Sequence, residues 1–191
     1  MKLIKTLLAT AIAVSAIPAM AYEAGDIIVK AGLVQVKPKD DPIEGTNYQI
    51  EDDTQLGLTL TYMATPQVGV ELLAATPFEH EVTSNGNKVA TTKQLPPTIS
   101  VQYYPLSPES ALQPYVGLGL NHTFFFDEGM AAKHLDKSTG LAYSLGVNYD
   151  IDASWLANIA LYKIDIDSKL NDALDVEIDP LVILVTAGYK F

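Results

Sequence analysis

The sequence predicts an all-β protein, an eight-stranded antiparallel transmembrane barrel of the bacterial outer membrane. Three observations carry that prediction. An export signal opens the chain, eight runs of about 10 residues alternate apolar with polar or small side chains, and the last run ends on an aromatic residue at the terminus.

The signal comes first. Lys2 and Lys5 precede an apolar run from Leu7 to Ile17, followed by Pro18 and then Ala19-Met20-Ala21. A basic start, a short apolar stretch and an A-x-A site describe a cleaved secretory signal peptide. The expected organisation is therefore signal peptide over 1–21 and one barrel domain over 22–191. The apolar run is too short to span a bilayer, and no later stretch has the length of a transmembrane helix. The formal net charge is −11, and loss of the two signal lysines lowers it further. An acidic chain with no basic patch is a poor match for nucleic acid. With no cysteine, thiol catalysis and thiolate metal sites are excluded, and the exported domain must hold together without disulfides.

The first strand is expected over Ile27–Val36. Lys30 sets its parity, because a charge at mid-depth is costly on the lipid face; Ile28, Lys30, Gly32, Val34 and Val36 then point inward. After a polar loop from Lys37 to Asp53, the run Thr54–Met63 puts Leu56, Leu58, Leu60 and Tyr62 outward against Gln55, Gly57, Thr59 and Thr61. The turn Ala64–Gln67 leads into Val68–Thr76, where Glu71 sets the parity and brings Leu73 and Ala75 inward. A long loop rich in Thr, Asn and Gly follows. Pro96 and Pro97 cannot both sit within a ladder, so the fourth strand starts after them, with Ser100, Gln102 and Tyr104 inward.

A turn from Pro105 to Leu112 precedes the fifth run, Pro114–Phe124, with Tyr115, Gly117, Gly119 and Asn121 inward; Phe124–Phe126 are expected to mark a membrane interface. The sixth run, Gly140–Tyr149, turns Ala142, Ser144, Gly146 and Asn148 inward. After the short turn Asp150–Ser154, Trp155–Ile166 places Asn158, Ala160, Tyr162 and Ile164 inward. Lys163 falls on the lipid face, which requires either a position near the outer interface, where its ammonium snorkels, or a bulge that shifts the register. The last strand, Pro180–Phe191, has Leu181, Ile183, Val185, Ala187, Tyr189 and Phe191 outward and Val182, Leu184, Thr186, Gly188 and Lys190 inward. Connections alternate long and short, so the short turns and both termini belong on the periplasmic side. A soluble lipocalin-like barrel is the structural alternative, but its outer face would be polar.

Several segments resemble one family. Tyr22-Glu23-Ala24-Gly25-Asp26, Asp53-Thr54-Gln55-Leu56-Gly57-Leu58-Thr59, the stretch from Gly69 to Phe78, Leu95-Pro96-Pro97-Thr98, Pro114-Tyr115-Val116-Gly117, Phe125-Phe126-Asp127 and the closing Ala187-Gly188-Tyr189-Lys190-Phe191 are similar to the OmpW family of small outer-membrane proteins. The resemblance spans the expected mature chain. It implies an eight-stranded barrel with a narrow hydrophobic interior, associated with passage of small apolar molecules, a reading shared by relatives that resemble alkane importers. Leu181 and Lys190 stand where family members often carry Trp and Arg. The loop after Phe126 is short, which bears on receptor roles within the family.

Strand direction converts parity into height. Near the periplasm the inward residues are Lys30, Glu71, Gln102, Asn148, Asn158 and Lys190, expected to form a polar plug in which Lys30, Glu71 and Lys190 share an ion-pair network. Toward the outside they become Val34, Val36, Leu73, Ala75, Tyr162, Ile164, Val182 and Leu184. Eight strands leave room for filling side chains or one small ligand. The apolar half therefore reads either as a pocket for apolar solutes or as ordinary packing, and the family resemblance favours the pocket. A closed floor would oblige a solute to leave sideways into the membrane.

Two other function classes remain. A structural or receptor-type surface barrel would act through its acidic loops, with Asp40, Asp41, Asp52 and Asp53 in the first and Asp172, Asp175, Glu177 and Asp179 in the last. A lipid A-modifying enzyme would need a catalytic group that the sequence does not supply: no G-x-S-x-G occurs, and His80, His122 and His134 lie apart from convincing partners. Glu79-His80-Glu81 and His134 with Asp136 are better read as solvated loop charge than as metal ligands. Asp165 and Asp167 share a face by period two, at a strand edge entering a loop. No cofactor, metal or catalytic residue is expected. The expected partners are outer-membrane lipid and lipopolysaccharide, small hydrophobic solutes, and the barrel insertion machinery acting through the strand that ends at Phe191.

Overall fold

A computed structural model describes residues 22–38, 48–84, 87–126, 138–170, 174–177 and 179–191. Residues 1–21, expected to be a signal peptide, and Asp40, Asp41, His134, Asp136 and Asp172, expected in loops, lie outside them. Thirteen strands are present among the described residues. Eight make the wall: β1 (Ile27–Lys37), β3 (Asp53–Thr65), β4 (Val68–Ala75), β7 (Thr98–Tyr103), β8 (Leu112–Phe126), β9 (Ser138–Asp150), β10 (Trp155–Ile164) and β13 (Leu181–Lys190). Each pairs antiparallel with its neighbours in the order β1, β3, β4, β7, β8, β9, β10, β13. The β1–β13 ladder from Ile28/Lys190 to Lys37/Leu181 closes the ring. In lipid every backbone amide needs a partner within the protein, and closure removes the sheet edges that would lack one.

The remaining strands extend the wall on the side of the long connections. β5 (Phe78–Ser84) and β6 (Asn87–Leu95) form a hairpin that continues β4 and β7, β2 (Tyr48–Ile50) pairs with β5, and β11 (Asp167–Leu170) pairs with β12 (Leu174–Glu177). The segment after Thr76, expected to be loop, is therefore mostly strand. Its β-branched residues Val82, Thr83, Val89, Thr91 and Thr92 favour a pleated chain, while its polar composition masked the period. Phe124–Phe126 carry β8 into this extension, where they pair with Leu95, Gln94 and Lys93 of β6.

The expected parity holds in all eight wall strands. β10 alternates strictly from exposed Trp155 to buried Ile164, and β13 follows the same alternation with Ile183 and Tyr189 half-buried. The outward face is apolar and open: Leu56 is 65% exposed, Leu145 59% and Val185 56%. A surface of that kind suits hydrocarbon rather than water. Trp155, Tyr189 and Phe191 form a continuous aromatic group at its periplasmic edge, with ring centroids 5.1 and 4.7 Å apart, as interfacial girdles require. In the turn below them, the amides of Trp155 and Ser154 donate to Asp152 and hold its carboxyl below the usual range.

One pairing is interrupted. The β4–β7 ladder ends at Leu73/Thr98, and pairing resumes only at Phe78/Gln94 between β5 and β6. Residues 74–77 and 95–97 face each other across this seam without pairing to one another, although Ala74 and Ala75 remain paired to β3 and Leu95 to β8 on their other sides. Proline at 96 and 97 brings no amide hydrogen to leave unsatisfied. Pro97 gives its carbonyl to the other side, accepting from the His122 amide and Asn121 Nδ2.

Close approach of β1 and β13 depends on Gly32. A Cβ there would sit against the Val185 carbonyl oxygen and 2.7 Å from Thr186 Cα, backbone that cannot move without disturbing the closing ladder. Gly32→Val is expected to destabilise the barrel by about 1–3 kcal/mol, measured as a fall in the urea midpoint for unfolding from lipid vesicles; an unchanged midpoint would refute this account of closure.

Candidate functional site

The interior is organised around one buried ion pair. Lys30 on β1 and Glu71 on β4 are 1% and 0% exposed, with Nζ 2.7 Å from Oε2. Both arrive by parity, and β3 between them contributes Thr61, which donates to Glu71 Oε2 at 3.0 Å. Gln102 on β7 donates to Oε1 at 2.7 Å, and the Tyr162 hydroxyl donates to the same oxygen. A buried carboxylate is tolerable when its lone pairs are taken up in this way. Lys30 also lies 5.3 Å above the Tyr115 ring. Gly188 makes the pair possible, since a Cβ there would come within 2.7 Å of Lys30 Cγ.

Polar side chains spread from this centre to seal the floor. Tyr104 donates to Gln102 Oε1 at 2.7 Å. Asn158 donates to Tyr115 OH at 3.2 Å and to Asn148 Oδ1 at 2.8 Å, and Asn148 donates to Tyr22 OH at 3.0 Å. The rings of Tyr22, Tyr104 and Tyr115 stack in sequence with centroids 5.5 and 5.3 Å apart. Lys30, Glu71, Gln102, Asn148 and Asn158 are thus brought into one connected layer.

Lys190 is not part of the ion pair it was expected to share. Its ammonium lies 5.0 Å over the Tyr22 ring and faces Asp150 at the periplasmic mouth, because β13 delivers it below the Lys30 level, opposite Ile28 rather than Lys30. Parity alone does not resolve two rungs of height. Tyr22 itself lies before the first strand, where no periodicity marks it. Its only signal was an aromatic residue at the expected cleavage point; its amide donates to the Pro108 carbonyl at 3.1 Å, which draws the segment under the barrel.

Above the floor the lumen is filled and is apolar along β1, β4, β10 and β13, while Thr98, Asn121 and Thr123 bring buried hydroxyl and amide groups from β7 and β8. Val34, Val36, Leu73, Ile164, Val182 and Leu184 are at most 5% exposed and belong to one core cluster with Phe78 and Ile166; Ala75 packs against it half-buried. Tyr162 joins the two halves, its ring within this cluster and its hydroxyl on Glu71. Phe78 lies just beyond the expected end of its run at Thr76, whereas Ile166 is the last residue of the expected seventh run and carries its inward parity.

The other candidates stay separate. His122 and Thr139 meet across β8 and β9, Nδ1 to Oγ1 2.7 Å, with Phe124 edge-on to the imidazole. Asp52 pairs with Lys37 at 3.2 Å, and Asp53 accepts from the amides of Thr54 and Glu79. Among the described residues no three His, Asp or Glu side chains gather in a way that could hold a metal ion.

Removing one partner of the central pair should strand a buried charge. Glu71→Ala is expected to cost about 3–5 kcal/mol in urea unfolding, while the Lys30→Met/Glu71→Leu double variant should recover most of that loss. A single variant as stable as the parent would show that the pair does not hold the floor.

Comparison with known proteins agrees with this architecture. The OmpW family model matches residues 23–191. The chain is 41% identical to outer membrane protein W of Vibrio cholerae, over 96% of this chain and 97% of that one, and 40% identical to outer membrane protein W of Escherichia coli, over 91% and 92%. The crystal structure of the outer membrane protein OprG from Pseudomonas aeruginosa aligns with a TM-score of 0.79 at 41% identity, covering 91% of this chain and 99% of that one. The chain belongs to the OmpW family and is an eight-stranded β-barrel of the bacterial outer membrane.

Proposed function

We propose that the barrel admits small hydrophobic molecules from outside the cell and releases them sideways into the membrane. The observation that carries this reading is the seam between 74–77 and 95–97, which lies beside an apolar lumen and above a sealed floor. A solute that entered from outside would meet Val34, Val36, Leu73, Ala75, Tyr162, Ile164, Val182 and Leu184. Further descent would require it to breach the Lys30–Glu71 layer, where an apolar molecule satisfies none of the polar groups it displaces.

The wall at the seam has no ladder to break. Leu73 and Phe78, both buried, flank it from inside, so their displacement would join the lumen to the lipid without loss of a backbone hydrogen bond. The filled lumen fits a conduit that opens only when an apolar solute takes the place of these side chains. A general aqueous pore fits poorly, since eight strands filled by side chains leave no water path.

The test compares uptake of a radiolabelled short alkane and a small sugar in cells with and without the protein. Faster entry of the alkane alone is expected. Replacing both prolines, Pro96→Val with Pro97→Val, supplies the missing donors and lets the β4–β7 ladder continue. Alkane entry should then fall to the level of cells lacking the protein, with the unfolding midpoint equal or higher. Undiminished alkane entry in this variant would refute lateral release. Equal entry with and without the protein would refute transport and leave a surface role for the loops.

A further inference from the structure

The outward wall holds a second feature, remote from the seam. On β9 and β10, Gly146 is paired with Ala160, and the flanking outward rungs are Leu145/Leu161 and Val147/Ile159. These six residues line a shallow cleft of about 370 Å³ that is open on the lipid-facing side. One rung higher toward the outside, Lys163 is paired with Tyr143. On the far side of Lys163, Leu181 of β13 is its partner, and Leu181 is in turn the partner of Lys37 on β1. Two lysines therefore flank one leucine on the outward face, their Cα atoms about 10 Å apart by ladder spacing, at the outer end of the apolar belt.

Lys163 is held there. Asp179 has a φ of 33°, a left-handed backbone that is unusual for a residue other than glycine. It accepts the Ile166 amide at Oδ1 and takes Lys163 Nζ on its carbonyl oxygen, with its carboxylate 3.9 Å away. Lys37 is similarly paired with Asp52 at 3.2 Å. Each side chain stays about half exposed, so donors remain free on the lipid side. In a chain this acidic, two cations placed outward at the outer leaflet are set against the general charge.

We propose that this face binds the lipid A moiety of lipopolysaccharide, with one acyl chain in the β9–β10 cleft and phosphates on Lys163 and Lys37. The chemistry matches on both counts: an apolar groove in register beneath a cation fits an acyl chain beneath a phosphate, and two spaced cations fit the two phosphates of one disaccharide. Only the outer leaflet presents that molecule at this height. The inference is independent of the transport reading, because it concerns the opposite part of the wall.

The test is native mass spectrometry of the purified full-length mature protein with lipid A, with its dephosphorylated form and with phosphatidylglycerol. Wild type should retain lipid A at least about tenfold more strongly than either other lipid. Lys37→Ala with Lys163→Ala should abolish the preference for the phosphorylated form, Lys37→Arg with Lys163→Arg should keep it, and Val147→Trp, which fills the cleft, should weaken all acylated ligands. Heat-modifiable gel migration confirms that each variant is folded. Equal retention of lipid A and phosphatidylglycerol by wild type, or unaltered lipid A binding in both the alanine and tryptophan variants, would overturn the proposal. So would loss of alkane uptake in Val147→Trp with lipid A binding intact, which would make the cleft part of a solute path.

Discussion

The fold depends on the requirement that each backbone amide and carbonyl within the hydrocarbon find a partner in the protein itself. No water competes there, and an orphaned group costs several kcal/mol. Eight strands meet the requirement by closing on one another through β1 and β13. Closure with so few strands leaves a lumen one or two side chains wide. The narrow lumen then dictates the interior: inward residues must be small where two strands approach, as at Gly32 and Gly188, and must interdigitate elsewhere.

Within that lumen the central ion pair divides the protein into two compartments. Lys30 and Glu71 are acceptable in a dry interior only because Thr61, Gln102 and Tyr162 complete the carboxylate's hydrogen bonds. Satisfying the buried Glu71 carboxylate recruits side chains from four other strands, which ties the floor together. The half above is held mainly by apolar packing, with one short chain of side-chain hydrogen bonds, Thr123 to Asn121 to Thr98, on its β7–β8 side. The contrast gives the two halves different ease of rearrangement, and the seam at Pro96 and Pro97 lies beside the softer one.

The outer surface shows the same economy. Its apolar residues face lipid rather than a core, so their role is insertion. The interruptions in that belt are what distinguish one side of the barrel from another: the unpaired seam on one side, and on the other the β9–β10 cleft below Lys163. Lys163 looked out of place on an apolar face. Its register with Leu181 and Tyr143 is regular, with no bulge, and Asp179 anchors it at the outer interface.

The sequence by itself determined the eight strands of the wall and the face their residues take, since an alternation of period two is set by the backbone pleat and survives any arrangement of neighbours. Glu71 and Lys30 were sufficient to place the parity of their own strands, because a charge in lipid is so costly, whereas Lys163 departs from that rule and sits at the outer interface. The hairpin β5–β6 was not legible, because its sequence is polar and carries no apolar period. Height was legible only coarsely, so Lys190 seemed to share a layer with Glu71 when it belongs beside Tyr22 and Asp150. The tertiary structure alone decided which inward groups meet, where the β4–β7 ladder stops and that Tyr22 closes the floor. Those outcomes depend on register and barrel closure, which couple residues distant in the chain and leave no local signature in it.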